Sequence, residues 1–327
     1  MSEVVVITGA SAGVGRATAR LFGKRGAKVG LIARGIEGLE AAKREIESYG
    51  GEAIVLPLDV SDHDAMDAAA AKVEETFGPI DIWINNAMAS VFSPIDEMTP
   101  EDYRRVTDVT YHGIVWGTLA ALRRMKPRDR GIIVQVGSAL AYRGIPLQSA
   151  YCAAKHAVQG FHDSLRSELI HDGSSIHVCM VQLPALNTPQ FRWVKSRLPR
   201  KAQPVPPIFQ PEVAAEAILF AAYSKRRELN VGWPASKAIV GNNFFPGYGG
   251  IYLARHGYEA QMVEEPEDKE RPNNLWKPVP GDAGAHGVFD ARSQNHSVQL
   301  WMNERRGWLL AAAGIVALGL AASRRKR

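Results

Sequence analysis

The chain has only two cysteines in 327 residues, Cys152 and Cys179. So sparse a pair excludes a disulfide framework, and no Cys/His cluster has zinc spacing, so no metal site is expected and a reducing compartment fits. A basic stripe with interleaved aromatics is also missing. The net charge is +5, but six of the 39 Lys and Arg residues lie from Arg305 onward, and all 34 acidic residues lie at or before Glu304. The body is therefore close to neutral, which argues against a nucleic-acid partner. The first apolar run starts at Val4, behind Glu3, and is too short for a secretory leader, so none is expected. There is no internal repeat. Hydrophobic residues make up 46% and charged residues 22%, enough for one large globular domain with additions.

What is there is a repeating succession of short apolar runs and amphipathic stretches. Val4–Thr8, Lys28–Ala33, Ala53–Leu58, Ile80–Ile84, Gly131–Val136 and His177–Leu183 read as strands that are apolar throughout, not alternating. Helical patterns lie between them, for example over residues 36–49 and 63–77. This predicts an α/β fold, a Rossmann-type doubly wound parallel sheet in three layers. Ligands bind beyond the C-terminal strand ends of such sheets, where Gly9, Asp59, Asn86, Ser138 and Leu183 fall. The expected divisions are a nucleotide-binding domain over residues 1–258, a charged linker or extension over 259–306, a hydrophobic helix over 307–323 and a basic tail over 324–327.

Between the first strand and the first helix stands Gly9-x3-Gly13-x-Gly15. A backbone that turns sharply and approaches a pyrophosphate closely has no room for Cβ atoms there, and the helix N-terminus that follows offers free N–H groups to the phosphates. The second strand ends Leu31-Ile32-Ala33-Arg34 without the acid that would take the 2′-hydroxyl of NAD. Arg34, with Arg16 just after the glycines, is expected to hold a 2′-phosphate instead, which selects NADP(H).

Tyr151 and Lys155 are four residues apart and share one helix face. An isolated tyrosine, with a pKa of about 10, is a poor proton donor or acceptor near neutrality, and a neighbouring ammonium favours its phenolate. Ser138, at a strand end, is placed to hydrogen-bond a substrate oxygen as charge develops on it.

Taken together, Thr8-Gly9-x3-Gly13-x-Gly15, Asp59-Val60, Asn85-Asn86-Ala87, Ser138 and Tyr151-x3-Lys155 resemble the classical short-chain dehydrogenase/reductase family, in the family's order and across residues 4–190. The resemblance implies that Gly9, Ser11, Gly13 and Val14 line a dinucleotide. Asp59 and Val60 would contact its adenine, and Asn86 with Ala87 would sit near the adenosine ribose. Tyr151 and Lys155 would lie at the nicotinamide ribose, with Thr188, and Leu186 two residues before it, near the carboxamide. Three positions depart from the family's pattern. Met88 stands where a glycine usually follows Asn-Asn-Ala, Leu183-Pro184 replaces Pro-Gly, and Thr110 occupies the fourth catalytic position, usually Asn. The resemblance implies that this residue supports a water leading from the lysine to solvent, and a working but modified proton relay is expected, with that water held by the Thr110 hydroxyl or the local backbone carbonyl.

The function expected is therefore interconversion of a carbonyl and an alcohol by an NADP(H)-dependent oxidoreductase, with a non-catalytic NADP-binding sensor or membrane scaffold as the alternative. Phe191, Trp193, Val194 and Phe209 in the Pro-rich segment 189–210 point to a lipophilic substrate. A homo-oligomer, dimer or tetramer, is expected by the resemblance. Gly307–Ser323 carries no charge and as a helix would reach roughly 25 Å against a ~30 Å hydrocarbon core. With Trp308 and flanking arginines it reads as a membrane anchor that leaves the body on the cytosolic face.

Overall fold

The computed structural model describes residues 2–308. Its centre is a sheet of seven strands: β1 (Val4–Thr8), β2 (Lys28–Ala33), β3 (Glu52–Pro57), β4 (Ile82–Asn85), β5 (Ile132–Ser138), β6 (His177–Leu183) and β7 (Glu228–Asn230). All are parallel, in the order β7-β6-β5-β4-β1-β2-β3. The direction of winding reverses between β1 and β4, where Val5 faces Ile82 and Ile7 faces Ile84. A crevice opens beyond the strand ends at such a reversal.

The all-apolar strands are explained by burial on both faces. Val5 and Ile7 enter one core with Phe22, Leu39, Ile46 and Ile218, while Val4 and Val6 enter the opposite core with Met66, Val73, Trp83 and Leu165. The first core is covered by α1 (Gly13–Gly23), α2 (Ile36–Ser48) and α7 (Pro211–Tyr223), and the second by α3 (His63–Phe77), α5 (Gly113–Met125) and α6 (Ser149–His171). α4 (Pro100–Thr107) runs into α5 through a π-helical turn, Asp108–His112. Two further helices, α8 (Gly232–Phe244) and α9 (Pro246–His256), follow β7.

The stretch expected to be a charged linker is instead built into the fold. Met262–Pro266 pairs antiparallel with Arg200–Ala202, and Ser293–Gln294 pairs with Ile208–Phe209. Leu275, Phe289 and Leu300 are buried. Some of the charges in residues 264–271 are paired: Glu265 takes Lys201 at the surface, and the buried Glu267 takes Arg271, which also reaches the carbonyls of Arg192 and Val194. Among the described residues no helix is long and apolar enough to cross a membrane. The expected anchor lies outside them apart from Gly307 and Trp308.

Candidate active site

The turn after β1 is tied to the end of β4. Thr8 Oγ1 accepts the N–H groups of Asn86 and Ala87, at 2.9 and 3.0 Å, and Asn86 Nδ2 donates to the Thr8 carbonyl at 2.9 Å. The glycines are sterically required. A Cβ on Gly15 would stand 2.1 Å from the Gly9 carbonyl oxygen, and one on Gly9 would stand 2.9 Å from the Ala87 Cα. Gly9 and Gly13 also adopt positive φ, 68° and 57°. Gly9, Ser11, Gly13, Val14, Asn86 and Ala87 line one cavity of about 520 Å³ together with Ser138, Tyr151 and Lys155.

The strand ends bring the catalytic candidates together. Ser138 closes β5, and its backbone N–H is fixed by Gln182 Oε1 at 2.7 Å. Gln182 comes so close that a Cβ on Gly137 would stand 2.2 Å from it. Tyr151 and Lys155 occupy successive turns at the start of α6. The Lys155 ammonium donates to the Val136 carbonyl at 2.6 Å and lies 5.7 Å from the centre of the Tyr151 ring. Burial pushes the Lys155 pKa down to about 8. Burial also raises the Tyr151 pKa above the ordinary value, only partly opposed by its hydrogen bond with Ser138. The lowered tyrosine pKa expected from the sequence is therefore not the balance in this structure, where desolvation of the phenolate outweighs the help it receives.

Thr110 is completely buried within the π-helical turn. Its hydroxyl donates to the Ala89 carbonyl at 2.9 Å and accepts the Ala89 N–H at 3.0 Å. It does not line the cavity, although Met88 and Val109 do. The Thr110 hydroxyl, one of the two groups expected to hold the relay's water, is thus engaged in holding the backbone beneath the crevice.

At the far end of the crevice the two arginines differ. Arg34 lines the cavity; Arg16 does not. Arg16 is buried, and its guanidinium binds Glu45 at 2.8 Å, the Gly38 carbonyl at 2.7 Å, the Ser11 carbonyl at 3.2 Å and Asp282 at 3.2 Å. Its expected contact with a 2′-phosphate is replaced by a structural role at the α1–α2 junction. Arg34 donates to the carbonyls of Asn274 and Leu275. Asp59 is held by Arg105 and by Ser61, whose N–H and hydroxyl approach at 3.0 and 2.8 Å, and these contacts hold its carboxyl below the usual range against the opposing effect of burial. Val60 beside it lines the cavity.

Residues 274–284 cross this end, a feature with no sequence signal. Arg105 Nε donates to the Leu275 carbonyl at 2.9 Å, and the Gly13 N–H donates to the Gly284 carbonyl at 3.1 Å. At the opposite end Leu183, Pro184, Leu186 and Thr188 line the cavity. Between them Asn187, fully buried, binds Gln210, Asp290 and the Phe289 N–H, which anchors the returning C-terminal segment. Phe191 and Trp193 face the cavity, whereas Val194 and Phe209 pack beneath it. Lys195 pairs with Asp102 at 2.8 Å and Arg192 reaches the Gly287 carbonyl.

Residues 3–198 match the family model described as short chain dehydrogenase. The chain belongs to the short-chain dehydrogenase family. It is similar to an uncharacterised oxidoreductase, YxnA, of Bacillus subtilis, 34% identical and covering 93% of this chain and 83% of the relative. It is 39% identical to human dehydrogenase/reductase SDR family member 7 over 51% of this chain and 50% of that protein. Two solved structures share the fold: an alcohol dehydrogenase from the archaeon Thermococcus sibiricus, complexed with 5-hydroxy-NADP, and a 3-ketoacyl-ACP reductase from Sinorhizobium meliloti. The first has a TM-score of 0.60 at 27% identity, covering 71% of this chain and 96% of its own. The second has a TM-score of 0.62 at 28% identity, covering 72% and 99%.

A short-chain dehydrogenase uses a nicotinamide dinucleotide, and this chain's residues fit one. Gly9 and Gly13 line the crevice with positive φ angles that L side chains rarely adopt, and Arg34 and Tyr151 line the same cavity. The N–H of Gly13 is the exception, since Gly284 already occupies it.

Proposed function

We propose that the chain reduces lipophilic ketones or aldehydes to alcohols with NADPH. The observation that carries this reading is the convergence of Ser138, Tyr151 and Lys155 on one largely apolar cavity that also contains the glycine turn. Gly9, Ser11, Gly13, Val14, Asn86 and Ala87 would hold the dinucleotide, Asp59 and Val60 its adenine, Lys155 its nicotinamide ribose, and Leu186 and Thr188 its carboxamide. The choice of NADP over NAD rests on Arg34, which stands at the crevice where β2 ends without a carboxylate.

When bound, the nicotinamide supplies the hydride. The Tyr151 phenol gives its proton to the carbonyl oxygen, and the Ser138 hydroxyl hydrogen-bonds that oxygen as negative charge builds on it. The Lys155 ammonium then stabilises the phenolate that is left. A phenol held in its protonated form by burial is matched to the reductive direction. Phe92, Ile145, Phe191, Trp193 and Val205 give the substrate end an apolar wall.

A nucleotide-binding sensor without turnover is the second reading. It is favoured by residues 274–284, which cross the adenosine end and occupy the Gly13 N–H. The two separate when the full chain is mixed with NADPH and a panel of aliphatic and aromatic carbonyls, and nicotinamide absorbance and alcohol product are followed. Turnover supports the reductase; tight NADPH binding with no product from any carbonyl supports the sensor.

A further inference from the structure

Helices α8 and α9 carry an apolar face that the fold does not cover. Phe244, Phe245, Tyr248 and Ile251 are 72%, 69%, 70% and 56% exposed, and Trp233 and Val240 are also exposed. α9 buries none of its residues. Isolated apolar residues on a surface need no explanation, but an aromatic-rich patch on two adjacent helices marks a contact surface. The pair is nevertheless fixed to the body. Arg143 donates to the Asn242 side chain and the Pro246 carbonyl, Asn242 donates to the Tyr142 carbonyl, and Gln299 Oε1 accepts the Gly232 N–H.

Charge distinguishes the possible occupants. From Asn230 to Tyr258 there is no acidic residue, and Lys237 and Arg255 are present and exposed. A second copy meeting this face across a two-fold axis would bring like charges together without an opposing carboxylate. An anionic lipid surface complements them, and Trp, Tyr and Phe beside basic residues are the composition that seats a helix at a bilayer interface. Val298–Glu304 also packs at the base of α8, through Gln299. The same two helices form part of the cavity wall through Pro234, Ala238, Tyr252, Leu253 and His256.

We propose that the α8–α9 face docks on an anionic phospholipid surface, seating the substrate end of the cavity against the bilayer from which a lipophilic carbonyl enters. The entry route rests on the reductase reading; the docking does not.

The test uses the full chain and vesicles of phosphatidylcholine with or without phosphatidylserine. Backbone hydrogen exchange over residues 233–256 is expected to slow when phosphatidylserine vesicles are added. The triple variant Phe244→Ser, Phe245→Ser, Ile251→Ser, none of which lines the cavity, is expected to bind these vesicles at least about ten-fold more weakly. Its reduction of a water-soluble carbonyl should be unchanged. A full chain that elutes as a dimer without lipid, and as a monomer once the triple substitution is made, would show the face covered by a second copy and would overturn the proposal. So would vesicle binding that leaves exchange over 233–256 unchanged, or that the triple variant retains in full. Binding is read without turnover, so a chain that docks but reduces nothing would contradict the reductase reading and leave the docking face standing.

Discussion

The buried ammonium of Lys155 is held 2.6 Å from the Val136 carbonyl and 5.7 Å from the centre of the Tyr151 ring. It is attached to the sheet as much as to the tyrosine. Strand β5 therefore sets where the cation stands, and α6 sets where the phenol stands relative to it.

Burial puts the Lys155 pKa at about 8 in the folded chain, against an ordinary 10.5. The folded protein sheds this proton as the pH rises through 8, while the unfolded chain keeps it until 10.5. The kcat/KM for carbonyl reduction is therefore expected to fall above pH 8 as the cation is lost. Stability should move the opposite way: the unfolded state binds more protons in this window, so the Lys155 contribution makes wild type gain on Lys155→Met between pH 8 and 10.5. Denaturant midpoints of the two proteins across that range check the sign. Lys155→Met should lower kcat by about 10²- to 10⁴-fold at pH 7.

The two arginines near the adenosine end should behave differently. Arg34→Ala is expected to raise the KM for NADPH by about 10- to 100-fold and to leave that for NADH nearly unchanged. Arg16→Ala should leave the NADPH/NADH ratio alone. It should instead cost about 2–3 kcal/mol of stability, because the Gly38 and Ser11 carbonyls and Glu45 lose a buried donor. Steady-state kinetics with both nucleotides, beside urea unfolding, separates the roles. A selectivity change in Arg16→Ala would return that residue to the phosphate site.

Thr110 makes both of its hydroxyl hydrogen bonds to Ala89. Thr110→Ala is expected to cost about 1–2 kcal/mol, by leaving a buried N–H and C=O without partners, and Thr110→Ser should restore most of it. The pH at which kcat/KM falls should be the same in all three proteins. A shift of that limb in Thr110→Ala would place the hydroxyl in the proton path.

Most of the sheet and the site was legible because both are local. Apolar runs such as Val4–Thr8 and His177–Leu183 declare buried parallel strands, and one topological rule then gathers Gly9, Asp59, Asn86, Ser138 and Leu183 at their ends. Side-chain direction was not legible. Arg16 directly follows the glycine turn and Arg34 directly follows the second strand, yet only Arg34 faces the crevice. Long-range closure was not legible either. Leu275 reaches the core from behind a charged segment, where Glu267 looks solvated until Arg271 is seen beside it. Gln182 and Asn187 were missed for the same reason, since each acts through partners far along the chain, Ser138 and Phe289 among them.

The central claim is that Tyr151 delivers the proton in a nicotinamide-dependent reduction. The direct measurement is kcat for an aliphatic or aromatic ketone with NADPH at pH 7, wild type against Tyr151→Phe, with NADPH affinity measured in parallel. The account predicts a loss in kcat of at least about 10²-fold with nucleotide affinity retained. A Tyr151→Phe protein that reduces the ketone as fast as wild type would contradict it.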